Sequence, residues 1–158
     1  MKTWQKILGG TAAAAAVSAI SVLGGAAVVY QAATKSFSRN RLKTKKRAIA
    51  ENTADDNAWY LRHDPAEWTQ TSLDGLILRA SLVEAEKPTK RVAILAHGLG
   101  HAREQMIPYA RVFHNWGYAT LMPDARAHGD SEGHTIGYGW PDRLDYTGWI
   151  NQVVAKYG

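Results

Sequence analysis

The 158-residue sequence predicts an α/β domain whose sheet is largely parallel, and its pattern of apolar residues supports this. Residues 92–96 and 118–122 are two short, continuously apolar runs, the pattern of strands that are covered on both faces. Each run is followed, after a glycine-containing loop or turn, by a segment with apolar residues at helical spacing. Strands that alternate with helices favour a parallel sheet with helices on its faces.

The elements around these two strands can be assigned in order. Residues 67–72 and 76–83 are strand-like and are joined by Leu73-Asp74-Gly75, and Asp-Gly between such runs is a strong hairpin signal. A helix after the first glycine turn ends at Gly117, and a second helix opens at Pro141-Asp142. The predicted apolar faces are Met106, Tyr109, Ala110, Phe113 and Trp116 in the first helix, and Tyr146, Trp149, Ile150, Val153, Val154 and Tyr157 in the second.

Residues 1–34 predict a single membrane anchor ahead of this domain. No charged residue occurs from Ile7 to Thr34, and this run exceeds the about 20 residues that a helix needs to cross the hydrocarbon core. The alternative is a cleaved signal peptide with Lys2 and Lys6 at its charged end, although the apolar region of such peptides has only about 7–15 residues. The basic flank after the run favours a cytoplasmic globular part. The short basic start is instead typical of export, and we expect an extracytoplasmic globular part.

Charge divides the chain at about residue 47. Residues 1–47 carry nine of the nineteen basic residues and no acid, whereas residues 48–158 carry all fourteen acids and a net charge of −4. The overall charge of +5 therefore does not indicate a nucleic-acid partner. We assign residues 35–66 to a basic juxtamembrane linker that lies along anionic lipid head groups, and residues 67–158 to the globular domain. The absence of cysteine excludes disulfides, a thiolate nucleophile and cysteine metal ligands.

Two loops are the candidate functional regions. Ligands of open α/β sheets bind beyond the carboxyl ends of the strands, which here precede the loops at residues 97–104 and 123–140. The turn His97-Gly98-Leu99-Gly100 offers backbone N–H groups at a bend that only small residues allow. Such donors can stabilise the oxyanion of an acyl-transfer reaction. The same turn is equally compatible with a strand-to-helix connection that needs glycine for geometry alone.

The order of the elements, together with two motifs, resembles the α/β-hydrolase superfamily. The motifs are the His-Gly-Leu-Gly turn and residues 124–133, which are similar to that family's Asp-x-Arg-Gly-His-Gly-x-Ser segment after the fourth strand. The resemblance extends through Gly137-Tyr138-Gly139 and Asp145 and is closest to membrane-anchored bacterial serine hydrolases of the lipase or esterase type. Ala127 stands where the family usually has glycine, and it adds local strain if a positive φ is needed there.

The resemblance implies an incomplete hydrolase domain. It implies the first four strands, in the order 1-2-4-3, and two helices of the family's sheet. The family's nucleophilic Ser lies in Gly-x-Ser-x-Gly after the fifth strand and is followed by an Asp and a His. All three are expected beyond Gly158, so that this chain contains no catalytic residue and is inactive alone.

The resemblance also implies the roles of residues in both loops. It assigns the first oxyanion donor to the backbone N–H of Leu99. Three residues support the oxyanion turn, namely His97, Gly98 and Gly100. Four residues belong to a structural loop, namely Asp124, Arg126, His128 and Gly129.

The segment Gly129-Asp130-Ser131-Glu132-Gly133 matches Gly-x-Ser-x-Gly literally but in the wrong context. A nucleophile elbow directly follows a buried strand and opens a helix. Ser131 instead lies between two acids, well after the strand at 118–122, and further glycines follow it. We therefore expect Ser131 to bond local backbone groups.

The polar residues of the two loops allow one further interpretation. A metal site could draw on His97, His101, His128 and His134 with Asp124 and Asp130. The His-x-x-x-His spacing crosses a glycine turn, so its side chains need not share a helix face. We expect instead that His97 and His128 hydrogen-bond the loops and that Arg126 and Asp124 form a structural pair.

Three functions therefore stay open at this stage. The leading one is a serine hydrolase that cleaves carboxylic esters or related acyl bonds, and thioesters and amides are equally compatible substrates. The second is a membrane-anchored, non-catalytic remnant or binding module, and the third is a metal-dependent hydrolase. For the leading function we predict no metal or cofactor, and we predict membrane lipid and a small acyl substrate as partners.

Overall fold

The computed structural model describes residues 23–34 and 41–158. These belong to two compact units, Met1–Ser36 and Phe37–Gly158. In the first unit residues 23–34 form a helix, α1, and the rest of the predicted membrane anchor lies outside the described residues. Across the described residues, no helix is both long and apolar enough to span a bilayer.

The second unit contains a four-stranded mixed sheet. Its strands are β1 (Ala66–Thr71), β2 (Ile77–Val83), β3 (Val92–Ile94) and β4 (Ala119–Pro123), in the order β1-β2-β4-β3. The pairs β1–β2 and β2–β4 are antiparallel, and β3 runs parallel to β4 with Ala93 opposite Thr120. The predicted strand order is confirmed. The prediction of a largely parallel sheet is wrong, because the hairpin contributes two antiparallel pairs.

The predicted Asp-Gly hairpin joins β1 to β2. The Gly75 N–H donates to the Ser72 carbonyl oxygen over 3.0 Å, and Gly75 has a φ of +85° that glycine adopts without strain. The Ser72 hydroxyl accepts the Leu76 N–H and donates to the Asp74 carboxylate. The turn therefore leaves one oxygen of Asp74 available to a distant partner.

Part of the segment that we assigned to a linker is helical in the structure. Residues Arg41–Glu51 form α2 and residues Ala54–Arg62 form α3. The helix α3 is capped by Thr53, whose hydroxyl accepts the Asp56 N–H over 3.1 Å. Trp59 of α3 is buried against Val83 and Met122 of the sheet, so this helix packs with the globular domain.

The two predicted helices of the globular domain are present, and the first buries only part of the predicted apolar face. A 3₁₀ turn at Arg103–Met106 leads into α4 (Ile107–Asn115). Tyr109 and Trp116 are exposed, so their assignment to the apolar face is wrong. Ala110 of the predicted face is buried, and the other buried residues of the helix are Ile107 and His114.

The second predicted helix, α5 (Asp142–Tyr157), packs on the other face of the sheet. Trp149 is buried against strand residues such as Leu78 and Leu121. Ile150 and Val154 are exposed, so this part of the predicted face is wrong. Two acids of the first turns are buried instead and fix the rotation of the helix, namely Asp142 and Asp145.

Candidate functional site

The loops that follow β3 and β4 enclose a cleft at the carboxyl ends of these strands. The cleft has a volume of about 340 Å³. Apolar and aromatic side chains dominate its lining, and none of the described Ser or Thr residues contributes to it. Its lining residues are Ala96, His97, Gly98, Leu99, Ala125, His128, Ile136, Tyr138, Gly139, Asp142 and Tyr146.

The turn after β3 has the backbone pattern of a type II turn. The His101 N–H donates to the Gly98 carbonyl oxygen over 3.2 Å, which closes the four-residue turn. Gly100, the third residue, has a φ of +74°, and the second residue, Leu99, has a negative φ. A positive φ at the third position is the reason that this turn needs glycine there.

The peptide groups of this turn are held in fixed directions. The Gly98 carbonyl oxygen accepts from the His97 Nδ1–H over 2.9 Å and from the His101 N–H. Because the peptide bond is planar and trans, the Leu99 N–H must point away from that oxygen. The Gly98 N–H donates to Gln105 Oε1 over 2.7 Å. Within the part of the chain that the structure describes, no acceptor bonds the Leu99 N–H.

Two histidines link the loops reciprocally. His97, after β3, accepts the Ala125 N–H at Nε2 over 3.0 Å. His128, after β4, accepts the Gly100 N–H at Nε2 over 3.4 Å, and its Nδ1–H donates to the Arg126 carbonyl oxygen over 2.9 Å. Burial lowers the pKa of His97 to about 4, so that the ring is neutral at pH 7 and can accept. The prediction that His97 and His128 hydrogen-bond the loops agrees with these contacts.

Asp124 organises the loop after β4. Its carboxylate is buried and accepts the Arg103 N–H over 2.7 Å and the Asp130 N–H over 2.9 Å. Burial raises the pKa of this carboxyl. A Cβ on Gly129, whose φ is +46°, would lie 2.2 Å from the Asp124 carboxylate. Glycine is therefore required at 129 for space as well as for conformation.

The predicted pair of Arg126 with Asp124 is wrong. The Arg126 guanidinium makes two hydrogen bonds of 2.8 Å to Asp145 of α5 and bonds of 2.8 and 3.2 Å to Asp74 of the hairpin. Arg126 holds the pKa of Asp74 down at about 2. The cation beside Asp124 is Arg103, with Nε 3.6 Å from a carboxylate oxygen. Arg126 thus joins the hairpin, the loop after β4 and α5.

Ala127 and Ser131 lie within the same loop. Ala127 has a φ of +62°, so the strain expected for alanine at this position is present. Ser131 is fully buried, and its hydroxyl donates to the Asp124 carbonyl oxygen over 2.8 Å and accepts the Arg79 N–H over 2.9 Å. A serine that is shielded and bonded in this way is a structural residue, as expected.

The histidines do not converge on a metal-binding geometry in the described residues. No group of three or more His, Asp or Glu side chains that could hold a metal ion occurs among them. His97 and His128 have both ring nitrogens engaged by backbone groups, and His134 is exposed.

The sequence did not predict that Gln105 and Asp74 bond residues of the two loops. Gln105 fixes the Gly98 N–H, but a lone Gln after a glycine turn gives no signal that distinguishes it from a surface residue. Asp74 bonds Arg126, but in the sequence its place beside Gly75 is already accounted for by the hairpin turn. Only the fold brings these side chains to the two loops.

The fold matches that of solved α/β hydrolases. An esterase of Pyrococcus furiosus, Pf2001, has 23% sequence identity and a TM-score of 0.56, with 67% of this chain and 40% of that chain covered. A serine hydrolase without a lid from Xanthomonas campestris, XC6422, has 20% identity and a TM-score of 0.52, with 59% of this chain and 45% of that chain covered. The chain thus has part of an α/β-hydrolase fold and spans less than half of either structure. No family model and no curated protein matches the sequence.

Proposed function

We propose that this chain supplies the oxyanion side of a serine hydrolase that cleaves carboxylic esters or related acyl bonds. The donor is the backbone N–H of Leu99. The observation that carries the proposal concerns the three N–H groups of the turn. The Gly98 and Gly100 N–H groups donate to Gln105 and His128. The Leu99 N–H is held in a fixed direction and has no acceptor among the described residues. A donor oriented before the reaction is what stabilises a developing oxyanion.

The lining of the adjacent cleft suits an apolar acyl group. Ala96, Ile136 and Tyr146 present carbon surface next to the turn, and the half-buried His97 is neutral at pH 7. Hydrogen-bond donors at one end of an apolar cleft are the usual arrangement for a ligand with a polar head. The nucleophile of the proposed reaction comes from outside the described residues, because Ser131 is buried and fully bonded.

The experiment uses n-butylphosphonate, a tetrahedral oxyanion with an apolar tail, and the full chain labelled with ¹⁵N in detergent micelles. We expect a saturable downfield shift of the Leu99 amide proton. Leu99→Pro removes the N–H at a turn position that favours proline and should abolish binding, whereas Leu99→Ala keeps the N–H and should bind like the wild type. Equal binding by both variants, or no saturable shift in the wild type, would contradict the proposal.

A fluorophosphonate probe tests the location of the nucleophile. We expect no covalent labelling of this chain, since Ser131 is inaccessible. Labelling that disappears in Ser131→Ala would show that the segment 129–133 is a nucleophile elbow after all.

We also propose that residues 1–34 anchor the protein in a membrane, with the globular part outside the cytoplasm. The uncharged run from Ile7 to Thr34 supports the proposal. The full chain should remain in the membrane pellet after alkaline carbonate extraction, and a chain lacking residues 1–34 should not. Protease added outside intact cells should digest the globular part; protection from it would place that part in the cytoplasm.

A further inference from the structure

Asp142, the first residue of α5, is a buried acid in the wall of the cleft. It is only 9% exposed, and its side chain lies beside the turn that precedes the helix. Its Oδ2 accepts the Gly139 N–H over 2.9 Å. Within the described part of the chain, no hydrogen bond or ion pair reaches its Oδ1. The fold therefore uses one oxygen of this carboxylate and leaves the other for a ligand in the cleft.

Two other buried acids between β4 and the middle of α5 differ from Asp142, because both of their oxygens are bonded. Asp124 accepts a backbone N–H at each oxygen. Asp145 accepts the Arg126 guanidinium at both oxygens. A buried carboxylate oxygen that lacks a donor costs free energy, and a ligand that supplies the donor recovers it. Asp142 therefore favours a ligand with a hydrogen-bond donor.

The cleft around Asp142 has a negative charge that no cation in its wall balances. Among the described residues, neither Lys nor Arg lines the cleft, and Asp142 is its single acid. His97 is neutral at pH 7, because burial lowers its pKa to about 4. Burial raises the pKa of Tyr146 to about 12, and the charge of Asp142 adds to this rise. The helix dipole offsets only about half a unit charge at the start of α5.

A protonated amine is the donor that suits this cleft best. It supplies N–H groups for the Asp142 carboxylate together with the charge that balances it, whereas a hydroxyl group supplies only a hydrogen bond. The rings of Tyr138 and Tyr146 also line the cleft, and aromatic rings attract a cation that lies over their faces. The carbon surface of Ala96 and Ile136 suits an aliphatic chain that carries the amine.

We propose that Asp142 is a specificity-determining residue that binds a protonated amine on the acyl chain of the substrate. The substrates would then be aliphatic amino-acyl esters or related acyl compounds. This inference rests on the proposed role of Leu99, because the Leu99 N–H would bind the acyl oxygen while Asp142 binds the amine in the same cleft.

The test compares n-butylphosphonate with 3-aminopropylphosphonate, in which an ammonium group replaces the terminal methyl group. The ¹⁵N-labelled full chain in detergent micelles should bind the amine about tenfold more tightly, the effect of one hydrogen bond to a charged group. Asp142→Asn keeps an oxygen for the Gly139 N–H but loses the charge, so this preference should disappear. Asp55→Asn, at an exposed acid of α3, changes the net charge equally and should retain the preference. Equal affinities in the wild type, or a preference that survives in Asp142→Asn, would overturn the inference.

A second probe, n-butylammonium, lacks an oxyanion and separates this inference from the proposed function. It should cause a saturable shift of the Gly139 amide, whose N–H donates to Asp142, in the wild type and not in Asp142→Asn. A shift at Gly139, with Leu99 unshifted by n-butylphosphonate, would support the amine site and overturn the proposed function. A shift of Leu99 by n-butylphosphonate, with Gly139 unshifted by n-butylammonium, would overturn the amine site and leave the proposed function in place.

Discussion

The loops after β3 and β4 border the same cleft but use their polar groups in opposite ways. After β4, the side chains of Asp124, Arg126 and Ser131 are buried and bonded to backbone or to opposite charges. After β3, the turn exposes half of Leu99 and leaves its N–H without an acceptor in the described part of the chain. The loop after β4 therefore stabilises the fold, and the loop after β3 supplies a backbone N–H donor that is available to a ligand. Substitution of the buried, bonded side chains should therefore change stability, and loss of the Leu99 N–H should change binding.

The largest effect is expected at the buried ion pair of Arg126. Asp145→Asn removes the buried partner and should lower the free energy of unfolding by about 3 kcal/mol, because the guanidinium stays buried with half of its hydrogen bonds. Chemical denaturation of the full chain in detergent measures this change.

Asp74→Asn is the matched control on the same guanidinium. Asp74 is 56% exposed, so its loss should cost less than about 1 kcal/mol. Equal costs for the two variants would contradict the buried character of the Asp145 contact.

The next effect is the pH dependence that His97 contributes. Its pKa is about 4 in the folded chain, against an ordinary value of 6.5, so between these values the unfolded chain binds a proton that the folded chain does not. The free energy of unfolding should therefore fall as the pH falls through this window, by about 2 to 3 kcal/mol in total, and should be fully retained above it.

His97→Gln isolates this contribution. Glutamine can accept the Ala125 N–H but does not titrate, so the difference in unfolding free energy between the wild type and this variant should shrink towards pH 4. Denaturation curves recorded at several pH values measure it. A constant difference would show that the His97 ring remains free to bind its proton in the folded chain.

A smaller, stabilising effect is expected at Ala127. Ala127→Gly relieves the strain of a positive φ but removes one buried methyl group. The net result should be a rise in the free energy of unfolding of up to about 1 kcal/mol, because the relief of strain exceeds the lost burial. Ala110→Gly, in the buried face of α4, is the control and should lower it by about 1 kcal/mol or more. Thermal unfolding of both variants gives the sign, and destabilisation at 127 would mean that packing outweighs strain there.

The smallest effect on stability is expected at Leu99. Leu99→Pro should change the free energy of unfolding by less than about 0.5 kcal/mol, since the side chain is half exposed and proline suits the second position of this turn. The same variant should lose n-butylphosphonate binding. A large loss of stability would contradict the proposed difference between the two loops, because it would show that the Leu99 N–H contributes to the stability of the fold.

Local signals in the sequence were sufficient for the hairpin and the two buried strands, and the resemblance to the α/β-hydrolase superfamily supplied the strand order. The apolar runs before His97 and Pro123, and the turn residues Asp74 and Gly75, each have one dominant local reading, and the family motifs gave the order of the strands. The strain at Ala127 was also predictable for the case of a positive φ, because it depends on that one backbone angle alone.

The partners of buried charges were not predictable in the same way. Arg126 stands two residues from Asp124, yet it bonds Asp74 and Asp145, which only the folded sheet brings within reach. Apolar spacing likewise misplaced part of the buried face of α5, because Asp145 turns inward to bond Arg126 and Ile150 is exposed to solvent.

The reciprocal histidine bridges have a consequence for any attempt to transplant the turn. The direction of the Leu99 N–H depends on His97, which is braced by Ala125, and on Gly100, which is braced by His128. A peptide or grafted loop copied from residues 97–101 alone would keep the sequence and lose the geometry. A graft that keeps the geometry of the turn must therefore also include residues 123–131 and the parallel pair β3–β4, which holds the two loops at a fixed spacing.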